Sequence, residues 1–229
     1  MTRVWKWVFA VIVIGLLAGT LNAQSSYKTL IPIAPDRLEL HQVTAESVNY
    51  RGRSALRIVD AAPGGGDDMS RIAVVKGASL QDGAIEVSLS GDTVPNAPPN
   101  LRGFVGIAFR VSADASRFEC FYLRPKNGRS EDQLQRNHSA QYVSVPGFQW
   151  NKLRTEQPGK YESYVDLVPG EWTNLRIQIQ GTSARLFVNG SEQPVLIVQD
   201  LKQPVEKGGI ALWIGPGTVA HFTELKVSR

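Results

Sequence analysis

The chain is poor in cysteine and histidine, and each scarcity excludes a class of protein. A single cysteine, Cys120, in 229 residues excludes a fold held together by internal disulfides. Three scattered histidines, without a His-x-His or His-Glu-x-x-His spacing, give no zinc site. We therefore expect no metal and no cofactor. Cys120 lies in an apolar run, where it is expected to be a small buried hydrophobe and not a reactive thiol.

Helical periodicity and the common catalytic motifs are also missing. No apolar pattern of helical period continues beyond a turn or two. There is no Gly-x-Ser-x-Gly, no Gly-x-Gly-x-x-Gly and no phosphate-binding loop. The composition, 42% hydrophobic and 20% charged, supports a packed core and disfavours disorder. The residues thus indicate a globular fold but name no reaction.

The first 23 residues have the pattern of a secretory signal peptide. Arg3 and Lys6 precede an apolar run over 8–17, and small residues lead to Ala23. The run is shorter than the roughly 20 apolar residues of a spanning helix. We expect cleavage after Ala23 and a secreted or periplasmic protein with no membrane attachment. Removal of 1–23 lowers the net charge from +4 to +2, so no nucleic-acid partner is expected.

Strand patterns occupy most of the mature chain, 24–229. Over 173–180 apolar and polar residues alternate, and Asn189-Gly190 supplies a tight hairpin turn further on. Short strands between turn signals predict one all-β domain, an antiparallel sandwich of the jelly-roll type. The other predicted strands are 56–59, 72–75, 84–89, 104–111, 118–123, 141–145, 161–168, 184–188, 195–198, 209–214 and 220–227.

Two of these segments, 104–111 and 117–123, are apolar on both faces. One face of each must lie between the sheets. The other is expected to be covered by loops or to form the floor of a groove.

The C-terminal third resembles a known family of sandwiches. The features are the Trp-x-x-Leu-Arg-Ile strand that follows Gly170, the Val-Asn-Gly hairpin ending at Gly190, and the strands 208–213 and 220–227. Together they resemble a concanavalin A-like lectin/glucanase sandwich of the laminin-G type. The layout is also similar to secreted 3-keto-disaccharide hydrolase domains. The resemblance implies a fold and leaves the activity open.

A polar and aromatic insertion over 124–160, with the residues up to 164, holds the candidate site. Between 124 and 162 there are seven basic and four acidic side chains, interleaved with aromatic ones. A sugar offers an apolar ring face for stacking and hydroxyls for hydrogen bonds, so this mixture suits a saccharide or glycan. We expect a groove over the sheet that contains 104–111 and 117–123. The residues expected to line it are Arg124, Arg136, His138, Gln141, Tyr142, Trp150 and Glu162.

The same residues allow a structural interpretation, in which ion pairs hold a flap and the aromatic rings pack on the sandwich. His138 could act as a base if Glu131, Asp132 or Glu162 orients it, or it could be a simple loop hydrogen-bonder. Glu162 is the other candidate general base. His41 and His221 are expected to be structural.

Retaining glycosidases need two carboxylates about 5–5.5 Å apart. The sandwich glucanases place theirs on one strand as Glu-x-Asp-x-x-Glu, a run absent here. Glu162 and Asp166 on an extended strand would be about 13 Å apart, too far for that mechanism.

Asp67 and Asp68 after three glycines could bind calcium, but a surface turn is the simpler interpretation.

Three functions fit these observations. The first is a secreted carbohydrate-binding protein. The second is a glycoside hydrolase of the 3-keto-disaccharide type, and the third is an adhesion module that binds no sugar. The oligomeric state stays open.

Overall fold

The structure, a computed structural model, describes Met1, residues 28–61 and residues 69–229. The predicted signal peptide and the turn with Asp67 and Asp68 lie outside the described residues. Within the described part, no helix has the length and apolar character needed to cross a bilayer.

Strands dominate the described residues, and two short α-helices interrupt them. The helices are α1 (Gln133–Asn137) and α2 (Trp150–Glu156). The strands are β1 (Thr29–Leu30), β2 (Leu38–His41), β3 (Val43–Tyr50), β4 (Arg53–Asp60), β5 (Ile72–Leu80), β6 (Gly83–Thr93), β7 (Val105–Val111), β8 (Phe118–Leu123), β9 (Ala140–Val145), β10 (Glu162–Ser163), β11 (Thr173–Gln180), β12 (Ser183–Val188), β13 (Leu196–Val198), β14 (Gly208–Ile214) and β15 (Thr218–Ser228).

The strands form two antiparallel sheets. The eight-stranded sheet has the order β13-β12-β11-β6-β15-β4-β3, with β1 paired to β15. The seven-stranded sheet has the order β10-β9-β8-β7-β14-β5-β2. The predicted antiparallel β-sandwich is confirmed. The insertion supplies β9 and β10 to one edge of the seven-stranded sheet and places both α-helices beside it.

The core lies between the sheets, where the alternating strand β11 points its apolar residues. Ile177 is fully buried, and its strand partners Ile85 and Leu186 are fully buried as well. Gln178, the next residue along β11, is half-exposed. Burial of a large aliphatic side chain contributes roughly 1.5–3 kcal/mol relative to exposure, so this row is a main source of stability.

The two segments predicted to be apolar on both faces are covered on both faces. Every residue of β7 and of β8 is buried. Cys120 is fully buried on β8, and burial raises the pKa of its thiol well above the ordinary value. The prediction of an inert, hydrophobic cysteine agrees with this environment.

One predicted strand is much shorter than expected. Of 161–168, only Glu162–Ser163 pairs in a sheet, against Gln141 and Ala140 at the edge. The prediction of a strand over the whole segment is wrong because the chain must leave this edge to enter the other sheet at Thr173. Glu162 and Asp166 therefore do not share one strand.

Candidate functional site: a cleft with an aromatic floor

A cleft of about 520 Å³ lies on the face of the seven-stranded sheet that carries the insertion. Small-molecule sites usually measure about 300–1,000 Å³, so the cleft can hold a small ligand. Phe104, Tyr122 and Trp213 contribute its apolar floor. The insertion contributes a polar and aromatic wall that includes Arg124, His138, Trp150 and Arg154.

The floor depends on a glycine at the centre of the sheet. Gly106 on β7 pairs with Tyr122 on β8 at one side and with Trp213 on β14 at the other. Since Gly106 has no side chain, the two rings meet above it, with centroids 4.7 Å apart. A Cβ at Gly106 would lie 2.2 Å from the backbone oxygen of Phe121. The ring of Phe104 lies edge-on to Tyr122 at 6.2 Å and extends the floor.

Arg124 joins the floor to the wall. Its Nη2 donates to the Tyr122 hydroxyl at 2.9 Å and to Oε1 of Gln141 at 3.0 Å. Its Nη1 donates to the backbone oxygen of His138 at 2.8 Å. Burial raises the pKa of Tyr122 to about 12, so its hydroxyl stays protonated at neutral pH. Arg124 thus fixes the positions of a floor residue and a wall residue.

Glu162 lies behind the wall, and its side chain is only 3% exposed. Nε of Arg154 donates to its Oε2 at 3.0 Å, and Nη2 of Arg154 contacts its Oε1. Nη1 of Arg124 lies 3.6 Å from Oε1, and Nε2 of His138 lies 3.4 Å from Oε2. One buried carboxylate is therefore surrounded by two guanidinium groups and an imidazole, which compensates the cost of its burial.

His138 caps the C-terminus of α1, whose N-terminus is held by Asp132. The carboxylate of Asp132 accepts from the backbone N–H groups of Leu134 and Gln135, so it serves the helix and not the imidazole. Burial lowers the pKa of His138, opposed by the charge of Glu162 and reinforced by Arg154. His138 is accordingly neutral at pH 7.

Trp150 and Arg154 form the outer rim of the cleft. They lie four residues apart on α2, so their side chains occupy the same helix face. The guanidinium of Arg154 lies 4.9 Å from the centroid of the Trp150 ring. Trp150 is 38% exposed, which leaves ring surface available to a ligand.

The structure brings five of the seven predicted site residues to this cleft. Arg124, His138 and Trp150 line it. Gln141 and Glu162 lie directly behind it as hydrogen-bond partners of Arg124 and Arg154.

The other two predicted residues do not line the cleft, which corrects the expected grouping. Tyr142 follows Gln141 on β9 and so points to the opposite face of the sheet. Its hydroxyl donates to the buried carboxylate of Glu119 at 2.6 Å. Arg136 stands on α1, where its Nη2 donates to the Tyr164 hydroxyl at 3.1 Å.

Several cleft residues were not predicted. Tyr122 and Phe104 belong to the segments with two apolar faces, which was the available signal for a groove floor. No sequence pattern indicated Arg102, Asn127 or Trp213, because the contribution of these residues to the cleft depends on the sheet order.

Asn127 has a buried polar atom that finds no hydrogen-bond partner among the described residues. Its Nδ2 donates to the backbone oxygen of His138 at 3.2 Å. Its Oδ1 is buried and accepts no hydrogen bond from the described residues. An unpaired buried acceptor costs about 1–3 kcal/mol, so this atom suits a donor brought by a ligand.

No protein-family model and no curated protein matches the chain. Among solved structures, it is similar over 83% of its length to 98% of a carbohydrate binding module, CBM66, from Bacillus subtilis, with a TM-score of 0.52 and 13% identity. It is similar over 88% of its length to 94% of a B. subtilis protein with a galectin-like fold, with a TM-score of 0.52 and 10% identity. A native glycosidic hydrolase also matches, with a TM-score of 0.51 and 12% identity over 89% of this chain and 94% of that one. The chain has the concanavalin A-like sandwich fold.

Proposed function

We propose that the protein is an exported saccharide-binding protein and that the cleft over β7, β8 and β14 is its binding site. The observation that carries the proposal is the combination of an aromatic floor with hydrogen-bonding groups at its edge. Phe104 and Trp150 offer partly exposed ring faces, and the packed rings of Tyr122 and Trp213 form the buried base of the floor. Asn127 and Arg124 stand beside them. A sugar needs both kinds of group, because its ring has an apolar face and a rim of hydroxyls.

The fold and the predicted signal peptide support the proposal independently of each other. A carbohydrate binding module has the same sandwich fold. The signal-peptide pattern over 1–23 indicates export to a compartment where free saccharides and glycans occur. Neither argument identifies the sugar.

A second function, hydrolysis of 3-keto-disaccharides, is favoured by the pair formed by His138 and Glu162. The carboxylate stands beside a neutral imidazole at the cleft wall, with Nε2 and Oε2 3.4 Å apart. This arrangement suits a general base better than it suits a pair of catalytic carboxylates, because no Asp or Glu of the described residues lines the cleft. In this reading His138 is the base and Glu162, held by Arg154, is its positioning residue.

A glycan array with the purified protein and its Trp150→Ala variant tests the binding function. Loss of the exposed indole should weaken binding by about 1–3 kcal/mol, roughly a 5- to 150-fold loss of affinity. Tyr164→Ala is the matched control, since Tyr164 is an aromatic residue of similar exposure that does not line the cleft. Both variants should keep the melting temperature of the wild type within a few degrees.

The outcomes separate the alternatives. Wild-type protein that retains no glycan would favour the adhesion module and reject sugar binding. Equal binding by Trp150→Ala and wild type would place the sugar site elsewhere. Hydrolysis of a 3-keto-glucoside that is lost in His138→Gln would establish the enzymatic reading.

A further inference from the structure

The cleft has a strong imbalance of charge. Arg102, Arg124 and Arg154 line it, and among the described residues no carboxylate does. The nearest carboxylate, Glu162, is buried behind the wall and is shared by Arg124, Arg154 and His138. The three arginines carry three positive charges and Glu162 carries one negative charge, so the cleft keeps an excess of two positive charges even with Glu162 included.

Arg102 is the cation in the cleft that is free to meet a ligand. Its Nη1 donates to the backbone oxygens of Pro99 and, at 3.3 Å, of Leu101. Its Nε and Nη2 have no acceptor, and no carboxylate pairs with it, among the residues that the structure describes. Carbonyl acceptors leave the charge of a guanidinium uncompensated, so Arg102 presents a full positive charge beside an apolar floor.

We propose that the ligand is an acidic saccharide, a sugar ring that carries a carboxylate or a sulfate group. The proposal rests on the proposed function and narrows it to a ligand class. A sugar ring seated on the apolar floor would displace water and so strengthen attraction between charges above the floor. The planar guanidinium fork matches an oxyanion with two parallel hydrogen bonds, whereas a neutral hydroxyl accepts fewer of them.

The unpaired acceptor of Asn127 favours an acidic sugar over an inorganic anion. Its Nδ2 is committed to the backbone oxygen of His138, which fixes the orientation of the amide and leaves Oδ1 as an unsatisfied acceptor. An inorganic anion offers only acceptors, but a sugar hydroxyl can donate to Oδ1.

The test compares matched neutral and acidic sugars by isothermal titration calorimetry of the purified protein. The probes are the methyl glycosides of glucose, galactose and mannose, the three corresponding hexuronides, glucose 6-sulfate, and acetate as an anion without a ring. We expect at least one acidic sugar to bind about tenfold more tightly than its neutral counterpart, equivalent to ~1.4 kcal/mol. The preference should shrink as the ionic strength rises.

Substitution of Arg102 should remove most of this preference. Arg102→Gln is expected to weaken binding of the acidic sugar about tenfold. Arg117→Gln is the matched control, because Arg117 precedes β8 at the end of the strand remote from Arg124 and pairs with Glu206 outside the cleft. The control should bind both sugars as the wild type does.

The other possible results reject either the acidic ligand or sugar binding as a whole. Equal affinity for neutral and acidic sugars would reject the acidic ligand and leave sugar binding intact. Acetate binding as tightly as the hexuronides would reject a saccharide in favour of a simple anion site. If no sugar binds in solution or on the glycan array, both the ligand class and the proposed function are rejected.

Discussion

The outer faces of the two sheets are covered in different ways. On the eight-stranded sheet, charged side chains pair with their neighbours on adjacent strands, such as Arg57 with Glu46 and Arg53 with Glu224 at 2.9 Å. A depression of about 480 Å³ there is lined mainly by polar and charged side chains. On the seven-stranded sheet, the insertion forms one wall of a cleft of about 520 Å³ whose floor is aromatic.

The two faces show how a sandwich can acquire a cleft. A face whose charged side chains pair with one another leaves no apolar surface to cover. Its exposed ion pairs are solvated and contribute little to stability. A face that remains apolar must be covered, and incomplete cover leaves a cleft with an apolar floor and a polar wall. The sequence already carries this distinction, since β11 alternates whereas β7 and β8 do not.

The largest expected effect lies in the core that both sheets share. Ile177→Ala should lower the free energy of unfolding by about 2–5 kcal/mol, because the side chain is fully buried between Ile85 and Leu186. Gln178→Ala, on the outer face of the same strand, should stay within about 0.5 kcal/mol. Urea denaturation of both variants measures the contrast. Similar losses in the two would mean that the inner and outer faces of β11 are wrongly distinguished.

The second largest loss of stability is expected for a carboxylate behind the cleft, in comparison with a carboxylate at the surface. Glu162→Gln should cost about 2–3 kcal/mol of unfolding free energy, because it leaves the guanidinium groups of Arg124 and Arg154 without their charge partner. Asp166→Asn breaks the exposed pair with Arg129 and should cost less than about 1 kcal/mol. Thermal melts of the two variants provide the measurement. A Glu162→Gln protein as stable as Asp166→Asn would contradict a tightly paired cleft wall.

The smallest expected effect concerns pH and the outer face of the eight-stranded sheet. His221 stacks on Tyr50 with ring centroids 3.5 Å apart. Burial, together with the charge of Arg57, lowers its pKa from 6.5 to about 4. The unfolded chain therefore binds the proton more tightly than the folded protein. Stability should be full above about pH 6.5 and should fall as the pH drops towards 4.

His221→Phe keeps an aromatic ring on Tyr50 and removes the proton-binding site. Denaturation curves at several pH values between 4 and 7 should show a smaller slope for this variant than for the wild type. The pKa of His138 is also lowered by burial, so a residual slope from the other sheet is expected. A variant that retains the whole wild-type slope would show that His221 does not titrate in this way.

The strands with strong patterns were predictable from the sequence. The prediction of 118–123 agrees with β8 at both ends, because an apolar run between Arg117 and Arg124 has clear limits. Strands β2 and β3 were missed, since their residues mix polar and apolar types at the edges of the sheets. Helices α1 and α2 were missed because five and seven residues are too few to show a helical period.

The candidate site was predictable only where it belongs to one stretch of chain. Trp150, Arg124 and His138 could be chosen because they share an insertion rich in charges and rings. Tyr142 could not be assigned correctly, because its direction depends on the register of β9, and a shift of one residue reverses the face. Trp213 meets Tyr122 only because β14 and β8 flank β7, which local sequence does not encode.

The glycine beneath the cleft floor also constrains the shape of the cleft. Tyr122 and Trp213 come from strands that are distant in sequence, and the strand between them contributes only the absence of a side chain at Gly106. Any other residue there would have to displace the backbone of β8 or tilt the rings apart. The floor of the cleft is therefore constrained from beneath, at a position in the middle of the sheet. Any side chain at position 106 should disturb the packing of Tyr122 against Trp213 although every residue of the polar wall stays the same.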